Sequence, residues 1–191
     1  MADRAESLAA ARVALAGLGE TLWQASGHEL ADLLTALDEV CALAAAGRVA
    51  VVREAVTRGE VSASQAGSLT AWIAQHAPSL AVAGGCAQVA TVVEAGGRMT
   101  TAPVTAAVCE GRVPIPVAVS VIREIDRLRP RLVPEAVPTV VESMLTIGAA
   151  YGTRAVRELR VRLLAQHGHP GQFQAEQDAA AGLVALSAAY G

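Results

Sequence analysis

The stretch from Ser26 to Arg58 constrains this chain more than any other segment, because it reads as one uninterrupted amphipathic helix. Ser26-Gly27-His28-Glu29 has the spacing of a capping box. In that motif the Ser hydroxyl and the Glu carboxylate reciprocally satisfy N–H groups that a helix start leaves without partners. Leu30, Leu33, Leu34, Leu37, Val40, Cys41, Ala44, Val51, Val52 and Ala55 then recur at i, i+3, i+4, i+7 spacing and form one apolar stripe. Asp32, Glu39, Arg53 and Glu54 fall away from the stripe, and Gly59 supplies a stop. Fully helical, the segment would be roughly 50 Å long at about 1.5 Å per residue. A compact chain of 191 residues has a radius of gyration of only about 16 Å. The expectation is a long central helix, about 26–58, acting as a spine unless Gly47 interrupts it.

Shorter helices should pack around that spine. Residues 4–24 carry Leu8, Leu15, Leu18 and Leu22 at helical spacing, and further pieces are expected at about 65–76, 79–95, 101–110, 115–129, 135–148, 153–167 and 173–188. Their boundaries are marked by Pro78, Gly96-Gly97, Gly111, Pro114, Pro130, Pro134, Gly148, Gly152, Gly168 and Pro170-Gly171. Ala136 to Val141 alternates ambiguously, but no series of strands emerges. Aromatic residues are only 3% of the chain, so the core must be built from Ala, Val, Leu and Ile. Abundant Ala favours helix, because it loses no side-chain entropy on ordering. The fold class is therefore all-α: a multi-helix domain with a long central helix and shorter packed helices. A faint echo recurs after 52 residues: Gly59-Glu-Val61 with Ala66, Ser68, Leu69 and Ile73 matches Gly111-Arg-Val113 with Ala118, Ser120, Val121 and Ile125. Such an echo fits either a duplicated helical unit or the common grammar of helix, Gly turn, helix.

Charge and cysteine content exclude several classes. The net charge of −3 argues against a polycationic nucleic-acid binder. The distribution is uneven, with 7 Arg against 11 acids over residues 1–120 and 8 Arg against 7 acids over 121–191. Cys41, Cys86 and Cys109 are odd in number and far apart, which suits neither a disulfide framework nor a zinc site and fits a reducing cytoplasm. The start, Met1 to Glu6, already mixes Asp3, Arg4 and Glu6 with alanines and does not read as a signal peptide. Val61 to Val93 lacks any charged side chain, yet Ser62, Gln65, Gln75, His76, Pro78, Gly84-Gly85 and Gln88 break it up. It reads as buried helices rather than a membrane span, so no membrane partner is expected.

The one pattern that suggests chemistry is basic. Arg123, Arg127, Arg129 and Arg131 close one helix, and Arg154, Arg157, Arg160 and Arg162 punctuate another. On the first, Val117, Val121, Ile122, Ile125 and Leu128 form the buried stripe, with Arg123 and Arg127 together on the opposite side. Like charges at i, i+4 repel by a few tenths of a kcal/mol, and an anionic partner such as DNA phosphate relieves that repulsion. The competing reading is a solvated face neutralised by Glu124, Asp126, Glu135, Glu142 and Glu158. The turn Glu110-Gly111-Arg112-Val113-Pro114 invites a helix-turn-helix reading, but Ile115, Pro116, Val117, Ala118 and Val119 after it cannot read a base by hydrogen bonds. Arg48 near the apolar stripe reads as a structural ion pair or a snorkelling side chain. His167-Gly-His169 reads as a helix end rather than a metal pair. No nucleophile–base arrangement or phosphate loop can be assigned, since Gly84-Gly85 precedes Cys-Ala-Gln without a Lys-Ser/Thr.

Taken in order, several stations of the chain resemble an actinobacterial domain of unknown function, the thirteen-E-twelve repeat family, which commonly precedes a C-terminal HNH endonuclease domain. They are Leu33-Leu-Thr-Ala-Leu37-Asp38, Arg53-Glu-Ala-Val-Thr-Arg58-Gly59, Ser68-Leu-Thr-Ala-Trp72-Ile-Ala and Val108-Cys-Glu-Gly111-Arg112-Val113. The Arg-rich helix 153–164, Gln174-Ala-Glu-Gln-Asp178 and Leu183-Val-Ala-Leu-Ser187 complete the series. The uncharged helix at 79–93 departs from it, since Arg-rich sequence is usual there. The resemblance implies a single helical accessory domain, residues 1–191, ending before an HNH module. It implies no catalytic residue and no cofactor in this chain, because the divalent metal would belong to the HNH module. It implies DNA as a partner, met by Arg123, Arg127, Arg129, Arg154 and Arg157 as nucleic-acid-binding residues. The alternative is a protein-interaction or dimerisation scaffold forming a homo-oligomer, motivated by the uncharged 61–93 region and the spine helix.

Overall fold

The structure, a computed structural model, describes residues 2–169. It is all-α. Eight α-helices succeed one another among these residues: α1 (Ala2–Thr21), α2 (Gly27–Thr57), α3 (Glu60–Ala63), α4 (Leu69–His76), α5 (Gly85–Ala95), α6 (Ala102–Cys109), α7 (Ile115–Leu128) and α8 (Val137–His167). Short 3-10 turns at Leu22–Gln24, Pro78–Leu80, Val82–Gly84, Arg129–Arg131 and Pro134–Ala136 lie between them. Among the described residues the one extended contact is an isolated antiparallel bridge between Leu132 and Gly168. The helix expected at 173–188 lies outside the described residues.

The chain divides into two units, one reaching to Ala42 and one beginning at Leu43, so the division falls inside α2. In the first unit no described residue is buried, and only Leu18, Ala25, Leu33 and Leu37 are half-buried. The capping box forms as the spacing predicts. The Ser26 N–H donates to the Glu29 carboxylate at 2.7 Å, and the Glu29 N–H donates to the Ser26 hydroxyl at 3.3 Å. Glu29 is held below the usual carboxylate range, the backbone bond from Ser26 contributing most and the Ser26 side chain next.

α2 has nearly the bounds expected of the long helix and runs unbroken through Gly47. Its burial differs from the expectation. Within α2 only Ala46, Val49 and Val52 are buried, while Leu30, Leu34, Val40 and Val51 stay exposed. Periodicity marks where apolar side chains line up, but a partner decides which of them leave water, and α2 meets the core only along Ala46–Val52.

The second unit holds the core. α7 is its organising element, packed against α5, α6 and most extensively α8. The expected stripe of Val117, Val121, Ile122, Ile125 and Leu128 is buried, joined by Ala118, Val119 and Glu124. Pro114 caps α7 in an extended conformation and Pro116 sits in the first turn, where a missing N–H is harmless. α8 approaches α7 closely at Gly148, where a Cβ would lie 2.6 Å from Val117 Cγ1. The expected pair of helices at 135–148 and 153–167 is one helix bent at Gly152, whose φ of 78° and ψ of −171° only glycine adopts readily. Glycine here kinks the helix instead of ending it.

The same core accounts for only part of the uncharged 61–93 region: between residues 61 and 85 Ile73 alone is buried, so the expected buried helices are realised in α5 and not before it. Ile73 of α4 and Cys86, Val89, Ala90, Val92 and Val93 of α5 are buried. The helix expected at 79–95 begins only at Gly85, after a break in which Ala83 and Gly84 have positive φ. Two buried threonines pin the turn after α5: Thr101 donates to the Ala95 carbonyl at 2.8 Å and Thr105 to the Val92 carbonyl at 2.6 Å. The 52-residue echo survives as two glycines with positive φ, Gly59 and Gly111. The helices after these glycines differ: Gly59 leads into the 4-residue α3 and then α4, whereas Gly111 leads into the 14-residue α7.

Candidate functional site

The facing surfaces of α7 and α8 carry the most concentrated chemistry among the described residues. On α7, Ser120, Arg123 and Arg127 recur at helical spacing on the side away from the main apolar stripe. On α8, beyond the Gly152 kink, Thr153 and Arg157 stand one turn apart. Together with Gln88 of α5 these side chains line a cleft of about 310 Å³. Pro116 and Val119 supply its apolar part.

Glu124 also lines the cleft, and its side chain is 2% exposed. A carboxylate taken out of water costs several kcal/mol, roughly, unless it is paired. Here it is paired twice. Arg160 donates through Nε to Oε2 at 2.7 Å and through Nη2 to Oε1 at 2.9 Å, the two-pronged geometry that suits a guanidinium. Arg127 donates through Nη1 to Oε1 at 3.0 Å. The hydrogen bond to Glu124, then the charge of Glu124, raises the Arg160 pKa, so this guanidinium stays ionised. Arg123 and Arg157 have no acidic partner among the described residues. Three guanidiniums line the cleft against one carboxylate, and Arg160 is committed to Glu124 beside it, so the lining is net positive.

Several other arginines are committed elsewhere. Arg98 meets both carboxylate oxygens of Asp126, at 2.8 and 3.0 Å. Arg112 pairs with Glu110 and Arg154 with Glu158, each at 2.7 Å, and these hydrogen bonds raise both arginine pKa values. Of the five arginines expected to contact nucleic acid, Arg123, Arg127 and Arg157 come together in the cleft. Arg154 faces Glu158 instead, and Arg129 sits in the 3-10 turn after α7, away from the cleft.

The sequence places Arg160 in the basic pattern and Glu124 among its neutralising acids without pairing the two, and it does not single out Ser120 or Thr153 as site residues. A signal for Glu124 is present: it stands three residues after Val121 and four before Leu128, on the apolar stripe itself, where a carboxylate needs a partner. The partner, 36 positions along the chain, has no local signature. The helix-turn-helix reading finds no support, since Val117, Ala118 and Val119 at the start of α7 are buried and unavailable to a groove. Arg48 is exposed. His167 and His169 belong to a backbone clasp: the Val133 N–H donates to the His167 carbonyl and the His169 N–H to the Arg131 carbonyl, both at 3.0 Å. Among the described residues no cluster of His, Cys, Asp or Glu could hold a metal, and no helix is long and apolar enough to cross a membrane.

A larger depression, about 600 Å³, lies in the first unit beside Leu22, Gln24, Glu29, Asp32 and Leu33. Glu29 is occupied by the capping box, and no cluster of basic groups lines it. No protein-family model, curated protein or solved structure matches the chain.

Proposed function

We propose that this chain is a helical accessory domain that engages nucleic-acid phosphate through the α7/α8 arginine face and thereby positions an HNH nuclease module on DNA. One observation supports the phosphate reading above all: Arg123, Arg127 and Arg157, from two helices, converge on a single cleft with too little acid to neutralise them. The link to an HNH nuclease rests on the family resemblance of the sequence. In this reading the domain acts in the cytoplasm, carries no catalytic group, and leaves the metal-dependent chemistry to the module it accompanies.

The test is DNA binding over a salt series. Three phosphates neutralised by arginine give a slope of about −2.7 in log K against log salt, or about 40-fold weaker binding between roughly 50 and 200 mM. An Arg123→Ala/Arg157→Ala variant should lose most of this dependence. Binding that ignores salt, or that survives unchanged in the variant, would remove phosphate contact by this face.

A protein-interaction or dimerisation scaffold is favoured by a different observation. Leu8, Trp23 and Leu34 are 74%, 80% and 69% exposed, in a segment whose apolar positions find little cover. Sedimentation at high concentration tests self-association, and a strictly monomeric species would remove it.

A further inference from the structure

We infer that the α7/α8 cleft is built for a terminal phosphate, the phosphomonoester at the end of a nucleic-acid strand, rather than for a phosphodiester within one. The inference rests on the reading of this cleft as a phosphate site and narrows it to one chemical class.

Charge is the first reason. Arg160 and Arg127 share the single carboxylate of Glu124, while Arg123 and Arg157 are unmatched among the described residues. Among the lining residues the arithmetic is 3 Arg − 1 Glu, a balance of +2, with Arg160 committed to Glu124 beside the cleft. An internal phosphodiester brings one negative charge. A phosphomonoester brings about 1.5 to 2 near neutral pH, together with three acceptor oxygens instead of two.

Shape is the second. A cavity of about 310 Å³ has the size of a small-ligand site, not of a flat track along a duplex. An internal phosphate carries chain on both sides, whereas a strand end carries it on one, so less of the ligand has to be led out of a site of this size.

The uncommitted polar groups are the third. Many hydroxyls in these helices are tied back to their own backbone, as Thr35, Thr91 and Ser143 are to carbonyls four residues earlier. Ser120 and Thr153 are not. Neither they nor the Gln88 amide has a side-chain partner among the described residues, although all three are partly buried in the cleft. Such donors complement the oxygens of a tetrahedral anion held by Arg123, Arg127 and Arg157. Pro116, which is exposed at the cleft, then offers an apolar edge beside which the terminal sugar or base can lie. The Glu124 clamp is a positioning device in this scheme, since it fixes the Arg127 and Arg160 guanidiniums before any ligand arrives.

The experiment uses the full chain and one labelled single-stranded oligonucleotide, prepared with a 5′-phosphate or a 5′-hydroxyl, read by fluorescence anisotropy at fixed salt. The phosphorylated end should bind about 10-fold tighter, and that advantage should vanish in Arg123→Ala/Arg157→Ala. Ser120→Ala should reduce it several-fold. Circular dichroism confirms folding; Arg123 and Arg157 are exposed and make no ion pair among the described residues, so the variant should melt like the parent. Equal affinity for both ends, still lost in the arginine variant, would overturn the end-specific inference while leaving the backbone-phosphate reading intact. No binding of either strand would overturn both. A nucleoside 5′-monophosphate that competes at the same concentration as the phosphorylated strand supports the phosphomonoester site but assigns it to a small molecule, which overturns the nucleic-acid reading.

Discussion

Two glycine-to-alanine substitutions, each inside a 31-residue helix, should have opposite effects. In α2, a Cβ on Gly47 would meet nothing within 4 Å. Alanine there gains helix propensity and restricts the unfolded chain, so Gly47→Ala should stabilise by about 0.5–1 kcal/mol. In α8, a Cβ on Gly148 would lie 2.6 Å from Val117 Cγ1 and 2.8 Å from Val156 Cγ2. Both valines are buried, at 4% and 0% exposure, and a β-branched side chain has no freely swinging end to move aside. The same propensity gain of about 1 kcal/mol is available, but overpacking a filled core costs about 1–3 kcal/mol. α7 and α8 form the largest helix contact in the unit, so relief requires displacing the pair. With two contacts under 3.0 Å the steric cost lies in the upper part of that range, about 2–3 kcal/mol, so Gly148→Ala should be net destabilising by about 1–2 kcal/mol. For a chain of this size that is a fall in Tm of about 2–8 °C, against a rise of about 1–4 °C for Gly47→Ala. Urea unfolding and thermal melts monitored by circular dichroism read both. If Gly148→Ala raised Tm alongside Gly47→Ala, the α7–α8 approach would not be set by contact at Val117, Gly148 and Val156.

Gly152→Ala should cost about 1–3 kcal/mol, because φ of 78° with ψ of −171° is a region nearly closed to a residue with a Cβ. A straightened α8 would also shift Thr153 and Arg157, so phosphate binding should weaken with stability. Thr105→Val keeps the shape but removes the O–H that donates to the Val92 carbonyl at 2.6 Å, and denaturant titration should read a loss of about 1–3 kcal/mol. Glu29 gives a pH prediction whose sign comes from its lowered folded-state pKa. Its contribution is complete above the unfolded carboxyl pKa and is lost as pH falls through the lower folded value. The helicity difference between the parent and Glu29→Ala should be present at neutral pH and close in acid; a difference that persists at the acid end would show that the ionised carboxylate is not the capping group.

The helices are legible in the sequence because each is encoded locally. The Ser26–Glu29 box, the α7 stripe and the glycine and proline punctuation act over a few residues, and the structure reproduces α2, α6 and α7 close to their expected bounds, while α4 starts later than expected, at Leu69. Arg123 and Arg127 on one face of α7 are equally visible, since helical spacing alone puts them there. The cleft is not. Its second wall comes from α8, and the Glu124–Arg160 pair joins residues 36 apart, a relation that no window of helical length contains.

What the sequence determined by itself is thus the all-α class, the starts and stops of α2, α6 and α7, the aliphatic make-up of the core and the excess of arginine in the last third of the chain. Tertiary structure alone decided that α2 is buried only at Ala46, Val49 and Val52, that Gly152 bends a helix instead of dividing two, and that three of the arginines share a cleft while Arg154 turns to Glu158. The physical reason is one of range. Periodicity and capping depend on neighbours within a turn or two of helix, whereas burial, close approach and charge pairing depend on which distant face arrives, and only packing settles that.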